Sequence, residues 1–138
     1  MLRTVDIERQ IERGRILLHM TSCSNFESIL VLSLRELSLA KIFQHLMPCK
    51  NLQILFLAHN RISADDIRSD MFKLSKVRKL ELSYNNVHDL PVEQTFFGNM
   101  KALEFLTLEG NSIQSMNAIV GLKHAQKLSY LSLEDNPV

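Results

Sequence analysis

Apolar and polar positions alternate along this chain in a phrase that returns four times. It reads Leu52-x-x-Leu55-x-Leu57-x-x-Asn60-x-Ile62, then Val77-x-x-Leu80-x-Leu82-x-x-Asn85-x-Val87. It recurs as Leu103-x-x-Leu106-x-Leu108-x-x-Asn111-x-Ile113 and as Leu128-x-x-Leu131-x-Leu133-x-x-Asn136-x-Val138, so that the asparagines lie 25, 26 and 25 residues apart. The Leu-x-Leu step has period two, which points both leucines to one face of a short strand and the residue between them to the other. Copies at a near-constant period stack one coil upon the next, with the strands parallel and the leucines inside. Each buried leucine then contributes about 1.5–3 kcal/mol, but only where a neighbouring coil covers it, so one copy alone has no reason to fold.

The phrase is the signature of leucine-rich repeats, and the chain resembles proteins of that class over residues 26–138. The resemblance implies an α/β solenoid with a short parallel sheet on its concave face. Asn60, Asn85, Asn111 and Asn136 are read as structural, each closing a strand into a bend where its amide satisfies backbone groups of its own coil and the next. A degenerate copy, Ile29-x-x-Leu32-x-Leu34-x-x-Leu37-x-Leu39, precedes these four and makes about five coils, with Leu37 in the asparagine place. Upstream, Ile7, Ile11 and Leu18 at helical spacing, with Thr4 as an N-cap ahead of Asp6 and Glu8, predict a helix over Thr4 to Met20 that caps the first coil. Its arginines, Arg3, Arg9, Arg13 and Arg15, read as a solvated face. The division is therefore a capping helix and lead-in over 1–28 and a repeat domain over 29–138. The register stops at Asn136-Pro137-Val138 in mid-repeat with no polar helix over the last coil. Either the natural protein continues, this chain being its ordered repeat domain, or another chain covers that edge; the first reading is adopted here.

Side chains that alternate with the leucines face the concave side and make up the candidate site. They are Ile54, Phe56 and Ala58, then Lys79, Glu81 and Ser83, then Phe105, Thr107 and Glu109, then Tyr130, Ser132 and Glu134, with His59 and Tyr84 at the rim. An outward lattice is ordinarily polar, whereas Ile54, Phe56, Phe105 and Tyr130 form an apolar and aromatic set beside acidic residues. Aromatics of this kind serve as hot spots in protein interfaces; the competing reading is that they pack over one another. Between the strands, residues 63–76 and 89–102 have room for one helical turn or a short helix, with Phe72, Leu74, Phe97 and Met100 turned inward.

Charge and composition narrow the function further. The chain has 138 residues, 46% of them hydrophobic, and a net charge of +1, which gives bulk nucleic acid little to hold. No apolar stretch is long enough to span a bilayer, and the charged first fifteen residues are unlike a signal peptide, so a cytoplasmic protein is expected. Cys23 and Cys49 belong to no C-x-x-C pair and read as reduced thiols; lying 26 residues apart, about one repeat, they are placed to pair only in an oxidising compartment. His19, His45, His59, His88 and His124 are scattered without metal-ligand spacing, and four glycines form no phosphate loop. Asp65-Asp66 and Glu134-Asp135 are neighbours on turns and are expected to diverge into solvent. The reading is a non-catalytic chain without metal or cofactor.

A narrower resemblance rests on the connection Asp89-Leu90-Pro91 followed by Thr95-Phe96-Phe97-Gly98-Asn99-Met100-Lys101-Ala102-Leu103. Repeats ending in Asn-x-Ile or Asn-x-Val look like the intracellular class found in the phosphatase-1 regulatory repeat protein and the outer-arm dynein light chain, although those coils are shorter. The coil length and the proline-plus-aromatic connection are more similar to the leucine-rich-repeat and IQ-motif-containing family; Pro48-Cys49-Lys50-Asn51-Leu52 also fits. That resemblance implies a cilium or flagellum, and a protein partner that is a helix or domain of an axonemal or cytoskeletal complex. The residues Arg9-Gln10-Ile11-Glu12-Arg13-Gly14-Arg15 have the basic character of an IQ motif but not its order, so no calmodulin site is carried over. The resulting expectation is an adaptor or scaffold that docks a partner on its concave sheet, without nucleic acid or membrane. The alternative is a regulatory subunit of a phosphatase or motor protein; a component of a nucleic-acid complex fits the acidic concave edge less well.

Overall fold

The structure is a computed structural model that describes Arg9, Ile11 and residues 15–138. Five three-residue strands, β1 (Val31–Ser33), β2 (Ile54–Phe56), β3 (Lys79–Glu81), β4 (Phe105–Thr107) and β5 (Tyr130–Ser132), form one parallel sheet in chain order. Leu32, Leu55, Leu80, Leu106 and Leu131 stand opposite one another across it. The first four are fully buried, while Leu131 is half-buried on the edge strand. The parallel ladder runs on past each short strand, for Leu57 N–H donates to the Glu81 carbonyl, Leu82 N–H to Thr107 and Leu108 N–H to Ser132, each at 2.9 Å. Hydrogen bonds therefore tie every coil to its neighbour over more residues than the strands span.

The asparagine positions supply the second set of ties, but backwards. Asn111 Nδ2 donates to the carbonyls of Leu108 in its own coil and Leu82 in the preceding one, while its Oδ1 accepts from Val87 N–H. Asn60, Asn85 and Asn136 repeat the arrangement onto Leu34, Leu57 and Leu108. The expected link to the next coil is thus a link to the preceding coil, because the chain bends back over the strand it has just left. This is also why Leu37 is tolerated in the asparagine place: the Leu37 and Leu39 N–H groups donate to Asn60 Oδ1 of the coil that follows.

At the N-terminal end, helix α1 (Arg15–Thr21) packs Leu17 fully into the hydrophobic cluster, together with Ile11. The helical spacing placed Leu18 there instead; it is only partly buried, since α1 turns the neighbouring Leu17 onto the core. The predicted N-cap Thr4, with Asp6, Ile7 and Glu8, and the arginines Arg3 and Arg13 lie outside the described residues, as does the side chain of Arg15, and Arg9 is exposed.

Two short helices fill the convex side. Helix α2 (Ala64–Asp70) begins in a capping box in which Asp66 N–H donates to Ser63 Oγ and Ser63 N–H to Asp66 Oδ2. Of the two adjacent carboxylates expected to diverge into solvent, only Asp65 does so; Asp66 is held by its cap. Helix α3 (Gln94–Asn99) buries Phe96 and Phe97, and Leu74 and Met100 turn inward as their spacing predicts, whereas Phe72 is half-buried, 5.7 Å from Phe96. A 3-10 segment, Met116–His124, approaches the preceding connection so closely that a Cβ on Gly121 would overlap the Pro91 carbonyl oxygen. Among the described residues no helix is long and apolar enough to cross a membrane.

Candidate functional site

The strand register sorts the outward side chains into rows. Val31, Ile54, Lys79, Phe105 and Tyr130 form the first row, and Ser33, Phe56, Glu81, Thr107 and Ser132 the second. Neighbours within a row are about 4.8 Å apart, so their side chains touch. Beyond the second row each coil turns through one left-handed residue, Glu36, His59, Tyr84, Gly110 or Asp135, all with φ between 55° and 65°.

Coils one to three have largely satisfied their own concave surface. The Arg35 guanidinium lies 4.3 Å from the centre of the Phe56 ring, and Lys79 Nζ lies 5.5 Å from it. Arg35 also donates twice to the Glu81 carboxylate, from Nε at 2.6 Å and from an η nitrogen at 2.7 Å. That bidentate hydrogen bonding, reinforced by the charges of Glu81 and Glu36, pushes the Arg35 pKa up further against the opposing effect of desolvation. Glu81 Oε1 accepts from Ala58 N–H as well, which helps to bury Ala58 although its parity faces outward. Ile54 and Phe56 are half-buried in consequence. The aromatic stripe expected across the whole face is therefore interrupted here, because the chain's own cations roof Phe56. Arg35, which lies beyond the end of β1, was expected to make this surface mixed in charge but not to stand among its contact residues; the signal for its role was a lone arginine at the outward parity of a coil whose neighbour carries a phenylalanine.

Coils four and five are left open. Phe105 and Tyr130 pack against each other with ring centres 5.8 Å apart, yet remain 39% and 48% exposed. Thr107 is half-buried and accepts from the Ser83 hydroxyl at 3.0 Å, which explains why Ser83, expected on the open face, is buried. Ser132 likewise departs from its expected place on the surface. It is 7% exposed and donates to Glu109 Oε1 at 2.8 Å, so the carboxylate covers it. Glu134 and Asp135 are exposed.

At the rim, His59 and Tyr84 stack with ring centres 4.6 Å apart and planes 5° from parallel. The Tyr84 hydroxyl donates to Asp135 Oδ2 at 3.2 Å, and this hydrogen bond, followed by the charges of Asp135, Glu109 and Glu134, raises the Tyr84 pKa. The Tyr84 ring passes over Gly110, where a Cβ would overlap it. Asp135 was expected among the acidic groups of this surface and Gly110 was not; each belongs to the left-handed row that repeats with the asparagines, one residue before each of them. The arrangement offers an aromatic and acidic surface, and among the described residues there is no group of three or more His, Cys, Asp or Glu that would hold a metal.

A solved internalin from Listeria monocytogenes superposes on 91% of this chain and 43% of its own, with a TM-score of 0.62 at 17% identity. The fold is a leucine-rich-repeat solenoid. No protein-family model matches the chain. Among characterised proteins it is similar to mouse (Mus musculus) lumican, 31% identical over 87 residues that make up 63% of this chain and 25% of that protein. Mouse podocan is 37% identical over 87 residues, 62% of this chain and 13% of its own length. Human (Homo sapiens) fibromodulin is 32% identical over 87 residues, 59% and 22% respectively. The chain thus spans about a quarter or less of these relatives. What they share with it is the leucine-rich-repeat solenoid.

Proposed function

We propose that this leucine-rich-repeat chain is a non-catalytic adaptor that docks a protein partner on its concave sheet. The observation that carries this reading is the Phe105–Tyr130 pair, two aromatic side chains held rigidly on adjacent strands and still substantially exposed. Exposed aromatics on a rigid scaffold contribute large contact area at small entropic cost, which is what interface hot spots provide. Replacing Phe105 and Tyr130 together by serine is expected to abolish partner capture while leaving the circular dichroism spectrum and unfolding midpoint near those of the parent. Leu82→Ala is the control, losing about 2–5 kcal/mol of core packing and binding only through unfolding. Capture that survives in the folded Phe105→Ser, Tyr130→Ser protein would remove the concave face from consideration.

The placement of this adaptor in the cytoplasm, within an axonemal or other microtubule-based assembly, is a narrower proposal that rests on the Asp89 to Leu103 connection. Cross-linking mass spectrometry from Lys79 in detergent-extracted ciliary or cytoskeletal material tests it. Links to an axonemal protein support that placement, and links confined to soluble phosphatase components sink it. Assaying a captured enzyme with and without this chain then separates a scaffold from a regulatory subunit.

A further inference from the structure

The two halves of the concave face differ in one respect that identifies the occupant of the open half. In coils one to three an aromatic ring, Phe56, is roofed by the Arg35 guanidinium, and the charge of Arg35 is met by the carboxylate of Glu81 on the neighbouring strand. In coils four and five the rings of Phe105 and Tyr130 are present and exposed, and carboxylates of Glu109, Glu134 and Asp135 are present. Among the described residues no cation lies over either ring: Lys79, the first-row neighbour of Phe105, has its Nζ over Phe56, and no lysine or arginine occupies positions 105, 107, 109, 130, 132 or 134.

We infer that the partner supplies it: the Phe105–Tyr130 end of the sheet receives a protein segment that carries an arginine or lysine beside an apolar side chain. This rests on the concave docking face proposed above and adds the chemistry of what docks there. The geometry is suited to the task. Ser132 holds the Glu109 carboxylate over the second row. Outward positions on one strand are about 6.6 Å apart, so a guanidinium laid on the Tyr130 ring reaches that carboxylate without leaving the ring. The apolar side chain then covers Phe105, and the exposed Glu134 lies just beyond the end of β5 to meet a second basic group. The Tyr84 hydroxyl, bonded to Asp135 at the neighbouring rim, has its pKa raised by that hydrogen bond first and by the charges of Asp135, Glu109 and Glu134 after it.

Three labelled synthetic peptides of one length test this by fluorescence anisotropy: an amphipathic leucine/arginine peptide, the same with glutamate for arginine, and the same with serine for leucine. The leucine/arginine peptide is expected to bind, to weaken as salt is raised, and to bind at least about tenfold more tightly than either of the others. Glu109→Gln with Glu134→Gln keeps the acceptor for Ser132 and removes two charges, and is expected to weaken it about tenfold. If the leucine/glutamate peptide binds as well, or the glutamine variant is unaffected while Phe105→Ser, Tyr130→Ser abolishes binding, the cationic occupant is overturned and the docking face stands. If neither variant changes binding, both readings fall. Absence of binding by all three peptides, or a chain that dimerises through this face by sedimentation, also overturns the cationic occupant.

Discussion

Tyr84 lies across Gly110, the ring of one coil occupying the space that any side chain at the corresponding bend of the next would need. Gly110 is also the left-handed residue of its coil, with φ of 65°. Two requirements therefore fall on one position, backbone freedom and room, and either alone favours glycine. Gly110→Ala is expected to destabilise the solenoid by about 1–3 kcal/mol in urea unfolding. Tyr84→Ala in the same chain relieves the overlap but not the φ strain, so the double variant is expected to be more stable than the sum of the singles; strict additivity would show that the two residues do not contend for that space.

Asn111 is the test of the asparagine ladder. It is buried and serves Val87 N–H, the Leu82 carbonyl and the Leu108 carbonyl at once. Asn111→Ala takes the acceptor from Val87 N–H and one of two donors from each carbonyl, Leu82 keeping Asn85 and Leu108 keeping Asn136, and is expected to cost about 1–3 kcal/mol, chiefly for the orphaned Val87 N–H. Hydrogen exchange at Val87 is expected to speed up in the variant, which a general loosening without the ladder would not single out.

Gly121 has no left-handed backbone to explain it; it is required because the Pro91 carbonyl oxygen occupies the place of a Cβ. Gly121→Ala is expected to lower stability by about 1–3 kcal/mol through overpacking. It also strains the Leu90 N–H to Ala118 carbonyl bond of 2.8 Å, which seams these two connections. An alanine variant as stable as the parent would disprove the close approach.

Cys49 is buried beside Leu46 and Leu52 in the core, and burial, with smaller effects from Cys23 and Glu27, pushes its thiol up to about 11. Its folded-state pKa lies above the ordinary value of 9.0, so the stability linked to it is fully present below pH 9 and is lost as pH rises through 11. At pH 8 iodoacetamide is expected to modify the half-buried Cys23 in the native protein and Cys49 only after unfolding. Equal labelling of both cysteines in the folded chain would contradict that burial.

The fold was legible because its cause is local and repeated. Leu55 and Leu57, and the same pair in each coil, declare a strand face by period two, and Asn60 declares the bend, so strand order and register follow from counting residues between asparagines. The site was legible only as a set of outward parities. Phe56 and Phe105 look alike in that pattern, and the difference between them, one roofed and one open, comes from Arg35 two coils away from Lys79. Ser83 and Ser132 share the parity of Tyr130 but are buried, because Thr107 and Glu109 of adjacent coils reach across to them.

What the sequence by itself determined is the solenoid: five coils, a parallel sheet, and the direction in which each leucine points. These depend on contacts between positions one period apart, and a period is written in the chain. What only the tertiary structure decided is which outward side chains remain available. That depends on how far long side chains such as Arg35, Glu109 and Tyr84 reach over neighbouring coils, and their reach follows from rotamers and hydrogen bonds that no one-dimensional spacing encodes.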